Sequence, residues 1–189
     1  MDNSCSHEEV IIAGFGGQGI MLTGKVLAQT AMKAGREVTY MPAYGAEVRG
    51  GTANCAVVIA DEPIASPLVS DPDSLIIMNK ASLTKFAPRL KSGGLLVINS
   101  SLVDSAKAAE LADTKNIVAI AADDIAAEVG SGKSANMVAL GAYLAARGIL
   151  DVELAGQCIG DVLAKRYHKT LPVNIEAMRR GAELVKTNI

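Results

Sequence analysis

Val10-Ile11-Ile12-Ala13-Gly14-Phe15-Gly16-Gly17-Gln18-Gly19-Ile20 is the stretch on which the architecture turns. Four consecutive apolar residues, 10–13, have no polar alternation. That pattern suits a strand buried on both faces. Glycines end it, and residues 20–34 follow with Leu22, Val26, Leu27, Thr30 and Ala31 at helical spacing. Gly35 stands where a helix C-terminal glycine belongs. A strand, a glycine turn and a helix in this order open a βα unit.

The rest of the chain repeats the theme. Residues 37–40 form a second strand, 42–51 a glycine-rich loop and Thr52–Ala60 a third strand; Asp61-Glu62-Pro63 reads as a turn, with Ile64 and Ala65 as a short antiparallel return. Residues 74–78, Leu95–Asn99 and Ile117–Ile120 are further strands, separated by helices over 81–90 and 104–111. Beyond Asp123 the pattern is helical throughout, over 125–129, 134–147, 152–164 and 173–186, with Pro172 near the start of the last segment, where proline is tolerated. The expected fold class is α/β: a single Rossmann-like domain over residues 1–189, with a mostly parallel sheet covered by helices on both faces and a helical C-terminal third. Residues 134–147 place Met137, Leu140, Tyr143 and Leu144 on one stripe, which is either core or a contact surface for another chain.

Gly14, Gly16, Gly17, Gln18 and Gly19 lie in a G-x-G-x-x-G pattern between the first strand and helix. Glycines let the backbone approach a phosphate, and the N–H groups of a helix start attract an anion. A dinucleotide site also wants an acid at the far end of the second strand. That strand runs Val38-Thr39-Tyr40-Met41, and Glu37 stands at the wrong end. The glycines therefore serve either a phosphate-bearing ligand or close helix–strand packing. The second loop, Pro42-Ala43-Tyr44-Gly45-Ala46-Glu47-Val48-Arg49-Gly50-Gly51, leaves on the same edge. Arg49 offers a planar donor fork for carboxylate or phosphate, with Gly50 and Gly51 leaving bare backbone beside it. Arg49 equally fits an internal pair with Glu47.

Several function classes are disfavoured. The 189 residues carry 18 basic and 20 acidic side chains, a net charge of −2, and aromatics make up 3% with no Trp, so neither a phosphate-neutralising stripe nor a base-stacking surface for nucleic acid is evident. A hydrophobic half of the chain, 50%, supplies a core, yet no apolar run approaches the roughly 18–20 residues of a membrane span. Residues 1–9 are polar and acidic, unlike a signal peptide, and the expected location is cytoplasmic. Cys5, Cys55 and Cys158 are far apart, as suits reduced thiols and not a four-thiolate cluster. His7 and His168 have no metal-ligand spacing around them. Gly130-Ser131-Gly132-Lys133-Ser134 looks like the tail of a nucleotide loop, but Ala127 occupies the position of its first glycine; a turn between helices, with Ser134 as an N-cap, fits better. Asp123 and Asp124 suit a helix start. No nucleophile, base and oxyanion donor assemble into a catalytic set, so no catalytic and no metal-binding residue is assigned.

With these residues in view, the chain resembles the gamma subunit of the 2-oxoacid:ferredoxin oxidoreductases. The resemblance rests on the Gly14–Gly19 turn, on Pro42 through Cys55 (Tyr44, Glu47, Arg49, Gly50 and Gly51 above all), and on Ser134-Ala135-Asn136-Met137-Val138-Ala139-Leu140-Gly141. It covers residues 10–186. Thr52-Ala53-Asn54-Cys55 after the Arg-Gly-Gly is most similar to the 2-oxoglutarate type, with the pyruvate and branched-chain 2-oxoacid types as alternatives. The resemblance implies a complex that decarboxylates a 2-oxoacid on thiamine diphosphate with magnesium, passes electrons through iron–sulfur clusters to ferredoxin, and gives the acyl group to coenzyme A. Its partners would be thiamine diphosphate-binding and ferredoxin-like chains, with ferredoxin met through the complex. No cofactor is assigned to this chain itself: Gly160-Asp161 continues with Val162 and so does not open a thiamine diphosphate motif. The implied role is structural, or the lining of the coenzyme A or subunit surface by the glycine turn, Arg49, Tyr44, Glu47 and Asn136. The alternatives are a stand-alone Rossmann-type nucleotide-binding oxidoreductase and a subunit of an indolepyruvate oxidoreductase.

Overall fold

A computed structural model describes residues 7–44 and 52–187. Six strands form one sheet: β1 (His7–Phe15), β2 (Glu37–Tyr44), β3 (Thr52–Ala60), β4 (Ser74–Ile77), β5 (Leu95–Asn99) and β6 (Ile117–Ile120), in the spatial order β2-β3-β1-β4-β5-β6. β1, β4, β5 and β6 pair in parallel, while β3 runs antiparallel to both β1 and β2. Five strands therefore point one way and β3 alone points back.

The helices are α1 (Ile20–Lys33), α2 (Lys80–Phe86), α3 (Ser105–Leu111), α4 (Ala122–Glu128), α5 (Ala135–Arg147), α6 (Val152–Val162) and α7 (Leu171–Thr187). Strand side chains alternate between two cores. Val10, Ile12, Val57, Ile76 and Val97 pack with α1, α4, α5, α6 and α7. Ile11, Ala13, Leu75, Ile77, Leu96 and Ile98 meet α2 and α3. Both faces of β1 are thus apolar, which is why its sequence reads as an unbroken hydrophobic run. α1 ends as its glycine predicts. Gly35 takes φ +76°, and the N–H groups of Gly35 and Arg36 donate to Met32 O (3.1 Å) and Ala31 O (3.0 Å), closing a Schellman motif.

Three expectations are corrected, and one alternative left open by the sequence is decided. The second strand runs on through Pro42 to Tyr44, so residues 42–44 are strand and not loop; Pro42 pairs with Cys55 on the outermost strand, where a missing N–H is tolerated. Ile64 and Ala65 form no strand. Met137, Leu140, Tyr143 and Leu144 are at most 1% exposed within the larger core, so this stripe is not a contact surface for another chain. Ser134 sits at the start of α5, but its hydroxyl donates to Asn174 Oδ1 (2.9 Å) instead of capping the helix.

α5 and α7 cross with their backbones nearly touching. A Cβ placed on Gly141 would lie 1.9 Å from Met178 O, and one on Gly181 would lie 2.0 Å from Val138 O. At the base of the sheet Glu8, fully buried, accepts hydrogen bonds from Ser74 Oγ (2.6 Å), Tyr143 OH (3.3 Å) and Arg147 Nε and Nη2 (2.8 and 2.5 Å). The strand therefore starts earlier than the polar look of residues 7–9 suggested.

Candidate functional site: the glycine turn at the strand ends

β1 delivers its carboxyl end at Phe15, and the chain reverses over Gly16 and Gly17. Gln18 N–H donates to Phe15 O (3.1 Å), and Gly17 adopts φ +97°, a value that a side chain would strain. Gln18 then locks the turn to its neighbour. Its Oε1 accepts from Phe15 N–H (2.7 Å) and from Asn79 Nδ2 (3.3 Å), and its Nε2 donates to Met78 O (3.2 Å). Gly14 is bare because a Cβ there would lie 2.7 Å from Gln18 Oε1 and from Ile20 Cδ1.

On the other side Asn136, at the start of α5, donates through Nδ2 to Gly19 O and to Thr23 Oγ1, both 3.2 Å. Gly19 has φ +74°, and a Cβ on it would fall 2.5 Å from Asn136 Nδ2. The turn is thus clamped between the end of β4 and the head of α5. Gln18 and Asn136 are clamps in this arrangement; their amides face protein groups. Asn79 belongs with them, since its Oδ1 also accepts from Ser82 N–H (2.8 Å) to cap α2. The sequence reading passed over it, although an Asn between a strand and a helical run is an N-cap signal.

What the turn presents outward is backbone. Gly16 and Gly17 are exposed, and no described group comes within 4 Å of a Cβ on either. The N–H groups of Gly16, Gly17 and Gly19 take no hydrogen-bond partner among the described residues. They adjoin the start of α1, which has no side-chain cap and no acid in its first turn. Three donors beside a positive helix end make an anion-attracting surface. Phe15, 39% exposed, flanks it.

Phe15 pairs with Thr52, and Tyr44 pairs with Ala53, so the end of β2 and the start of β3 lie at the same edge as the turn. The expectations placed on Glu47, Arg49, Gly50 and Gly51 lie outside the described residues, and Tyr44 is described through its backbone alone.

Strand order bears on the dinucleotide reading. In a dinucleotide-binding sheet the strand after the first helix lies beside β1, and the acid at its end reaches the ribose. Here β3 fills that place. The end of β2 is displaced to the second neighbour, about 10 Å from β1. The half fingerprint seen in the sequence is therefore half present in space as well.

Behind the turn, Cys55 Sγ donates to Ile20 O (3.6 Å), close enough to α1 that Gly24 cannot carry a side chain. Burial pushes this thiol up from 9.0 to about 12, outweighing a backbone hydrogen bond at Gly24 that lowers it. The unfolded thiol ionises near pH 9, the native one near 12. Its protonated state thus favours the fold fully below pH 9, and that contribution is lost as pH rises from 9 to 12. Cys55 is expected to resist iodoacetamide at pH 8.5 in the native chain and to react within minutes in urea, as peptide mass mapping would show. Replacement by Ser is expected to flatten the decline of stability above pH 9.

Among the described residues no group of three or more His, Cys, Asp or Glu could hold a metal ion, and the two described cysteines are buried apart from each other. These residues do not fit an iron–sulfur cluster. His168 donates from its ring to Leu163 O (2.9 Å), closing the end of α6. Asp123 and Asp124 lie in the first turn of α4, where they accept from Asn99 Nδ2 (2.9 Å) and Ser101 Oγ (3.0 Å).

Comparison with known proteins gives the family. The family model for pyruvate ferredoxin/flavodoxin oxidoreductase matches residues 9–184. The chain is 37% identical over 182 residues to ketoisovalerate oxidoreductase subunit VorA of Methanothermobacter marburgensis, covering 95% of this chain and 37% of that protein, so it spans little more than a third of that relative's length. It is 35% identical over 183 residues to 2-oxoglutarate synthase subunit KorC of the same organism, covering 95% of this chain and 97% of that one. Among solved structures, the keto/oxoacid ferredoxin oxidoreductase gamma subunit of Geobacter sulfurreducens superimposes with a TM-score of 0.77 at 26% identity, covering 95% of this chain and 99% of that one. The sheet, the clamped glycine turn and a match along nearly the whole chain place this protein in the pyruvate ferredoxin/flavodoxin oxidoreductase family.

Proposed function

We propose that this chain is the gamma subunit of a cytoplasmic, multi-subunit 2-oxoacid:ferredoxin oxidoreductase, a single domain that carries no part of the redox chemistry itself. The observation that carries the reading is the full-length likeness to the KorC subunit, a chain of the same extent. Thiamine diphosphate, magnesium and the iron–sulfur clusters are assigned to partner chains, and ferredoxin is met through the complex. The 2-oxoacid is proposed to be 2-oxoglutarate; the similar VorA match makes ketoisovalerate the competing substrate.

Within the complex the glycine turn is assigned to coenzyme A. Its outward N–H groups and the head of α1 suit the ligand's phosphates, and Arg49, Gly50 and Gly51 fall in the sequence between β2 and β3, whose adjoining ends lie at that edge. Tyr44 and Glu47 line the same edge in this reading, while Gln18 and Asn136 hold the turn in shape.

Affinity purification of the tagged chain from its own cells, followed by viologen reduction with coenzyme A and each candidate 2-oxoacid, tests the assignment. Co-elution of partner chains and turnover with 2-oxoglutarate are expected; elution alone, with no 2-oxoacid reacting, would sink it. Gly16 faces open space, so Gly16→Asp adds negative charge to the turn without a clash. This variant and Arg49→Ala are each expected to raise the KM for coenzyme A about tenfold, equivalent to ~1.4 kcal/mol, with the complex intact. Unchanged KM values and unchanged assembly would remove coenzyme A from this surface.

A further inference from the structure

Among the described residues the sheet ends on β6, with no strand paired on its outer side. Leu96 N–H donates to Asn116 O (2.9 Å) and Ser100 N–H to Ile120 O (2.8 Å). Strand groups alternate in direction, so Asn116, Val118 and Ile120 face β5. The N–H and C=O of Ala119, and the C=O of Ile117, therefore point away from the sheet. Alongside runs a groove of about 830 Å³ on the side of α4, α5 and α7, with apolar walls from Val118, Ile125, Ala146, Leu184 and Val185.

The charges in this groove have one sign. Lys115 and Arg147 line it, and among the described residues no carboxylate does. Arg147 is engaged by Glu8, whereas Lys115 enters no ion pair among the described residues. The opposite edge strand, β2, carries Pro42, whose ring has no N–H to offer. β6 has neither a proline nor a charged residue at its outward positions, the usual guards of a sheet edge. Pairing of two copies through β6 would bring two such cationic grooves together with no acid between them, which disfavours self-association.

We propose that β6 is completed by an extended, apolar segment of a partner protein chain bearing an Asp or Glu opposite Lys115, which adds as a seventh strand and lays alternate side chains into the groove. This mode of recognition takes its affinity from main-chain hydrogen bonds and its specificity from the groove. The inference rests on the subunit reading and concerns a surface distinct from the glycine turn.

Amide hydrogen exchange, compared between the isolated full chain and the purified complex, tests it. The Ala119 N–H is expected to exchange at least ~100-fold more slowly in the complex, while Val118 and Ile120, bonded to β5 in both states, change little. Exchange at Ala119 that is no slower, or equal slowing along all of β6, would overturn strand addition. Lys115 is exposed, and Lys115→Glu is expected to weaken retention of the partner about tenfold at low salt. Ala119→Pro removes the outward N–H and keeps the bonds to β5, so it is expected to lose the partner. Should Ala119→Pro fail to fold, Lys115→Glu and the exchange pattern decide. A wild-type chain that purifies without any partner removes the subunit reading and this proposal together. A complex that forms normally with Lys115→Glu and leaves Ala119 exchange unchanged removes this proposal alone.

Discussion

Replacing Gly141 with Ala is expected to cost the protein about 3 kcal/mol or more, the upper end for overpacking a core. A methyl group at this position would sit 1.9 Å from Met178 O. The obstacle is backbone, so no rotamer change relieves it; α7 must move away from α5. Gly181→Ala meets Val138 O at 2.0 Å and is expected to do the same. Once either variant has pushed the helices apart, the second costs less, so the double variant should be well short of additive. Gly156→Ala in α6 is the control: its nearest neighbour would be a flexible Ile175 methyl at 3.6 Å. There the gain in helix propensity, up to about 1 kcal/mol, should leave stability unchanged or raised. Urea midpoints of the four variants measure all of this.

Arg147→Ala is expected to destabilise by about 3 kcal/mol, because it leaves the buried Glu8 carboxylate without its cation. Ser74 and Tyr143 still donate to Glu8, and the Arg147 side chain is 39% exposed, so water makes up part of the loss and the figure belongs at the lower end of that range. Adding Glu8→Gln to Arg147→Ala removes the stranded charge and should recover part of the loss. A double-mutant cycle in urea reports the sign directly. An Arg147→Ala chain as stable as wild type would mean that Glu8 is satisfied without the guanidinium.

Much of this fold is legible in the sequence. The run from Val10 to Gly19 yields the first strand and its turn, Gly35 yields the end of α1, and the helical final third stands where the spacing puts it. The reversal of β3 was not legible, because a strand buried on both faces shows the same Val- and Ile-rich run in either direction. Pro42 was read as a loop residue, since nothing local reveals that β2 is the outermost strand, where proline fits. Glu8 reads in the sequence as one of the polar, acidic residues of segment 1–9; its true environment is made by Tyr143 and Arg147, far along the chain. The site was half legible. Glycines at 14, 16, 17 and 19 flag a constrained turn, but the pattern alone does not show that Gln18 and Asn136 spend their amides on holding it. Asn79 was available as a helix-cap signal and was passed over.

The place of β1 in the sheet also shapes how the chain is made. β1 leaves the ribosome before the other described strands of its sheet, yet its neighbours are β3 and β4. The last of them, β4, ends about 60 residues later in sequence. At a synthesis rate of 5–20 residues per second, its second edge waits roughly 3–12 s for a partner. β2 and β3, close in sequence and paired antiparallel, can close as a hairpin in the meantime. The unguarded run Val10-Ile11-Ile12-Ala13 is therefore the part of the nascent chain most in need of shielding, and slow translation between β3 and β4 would lengthen that exposure.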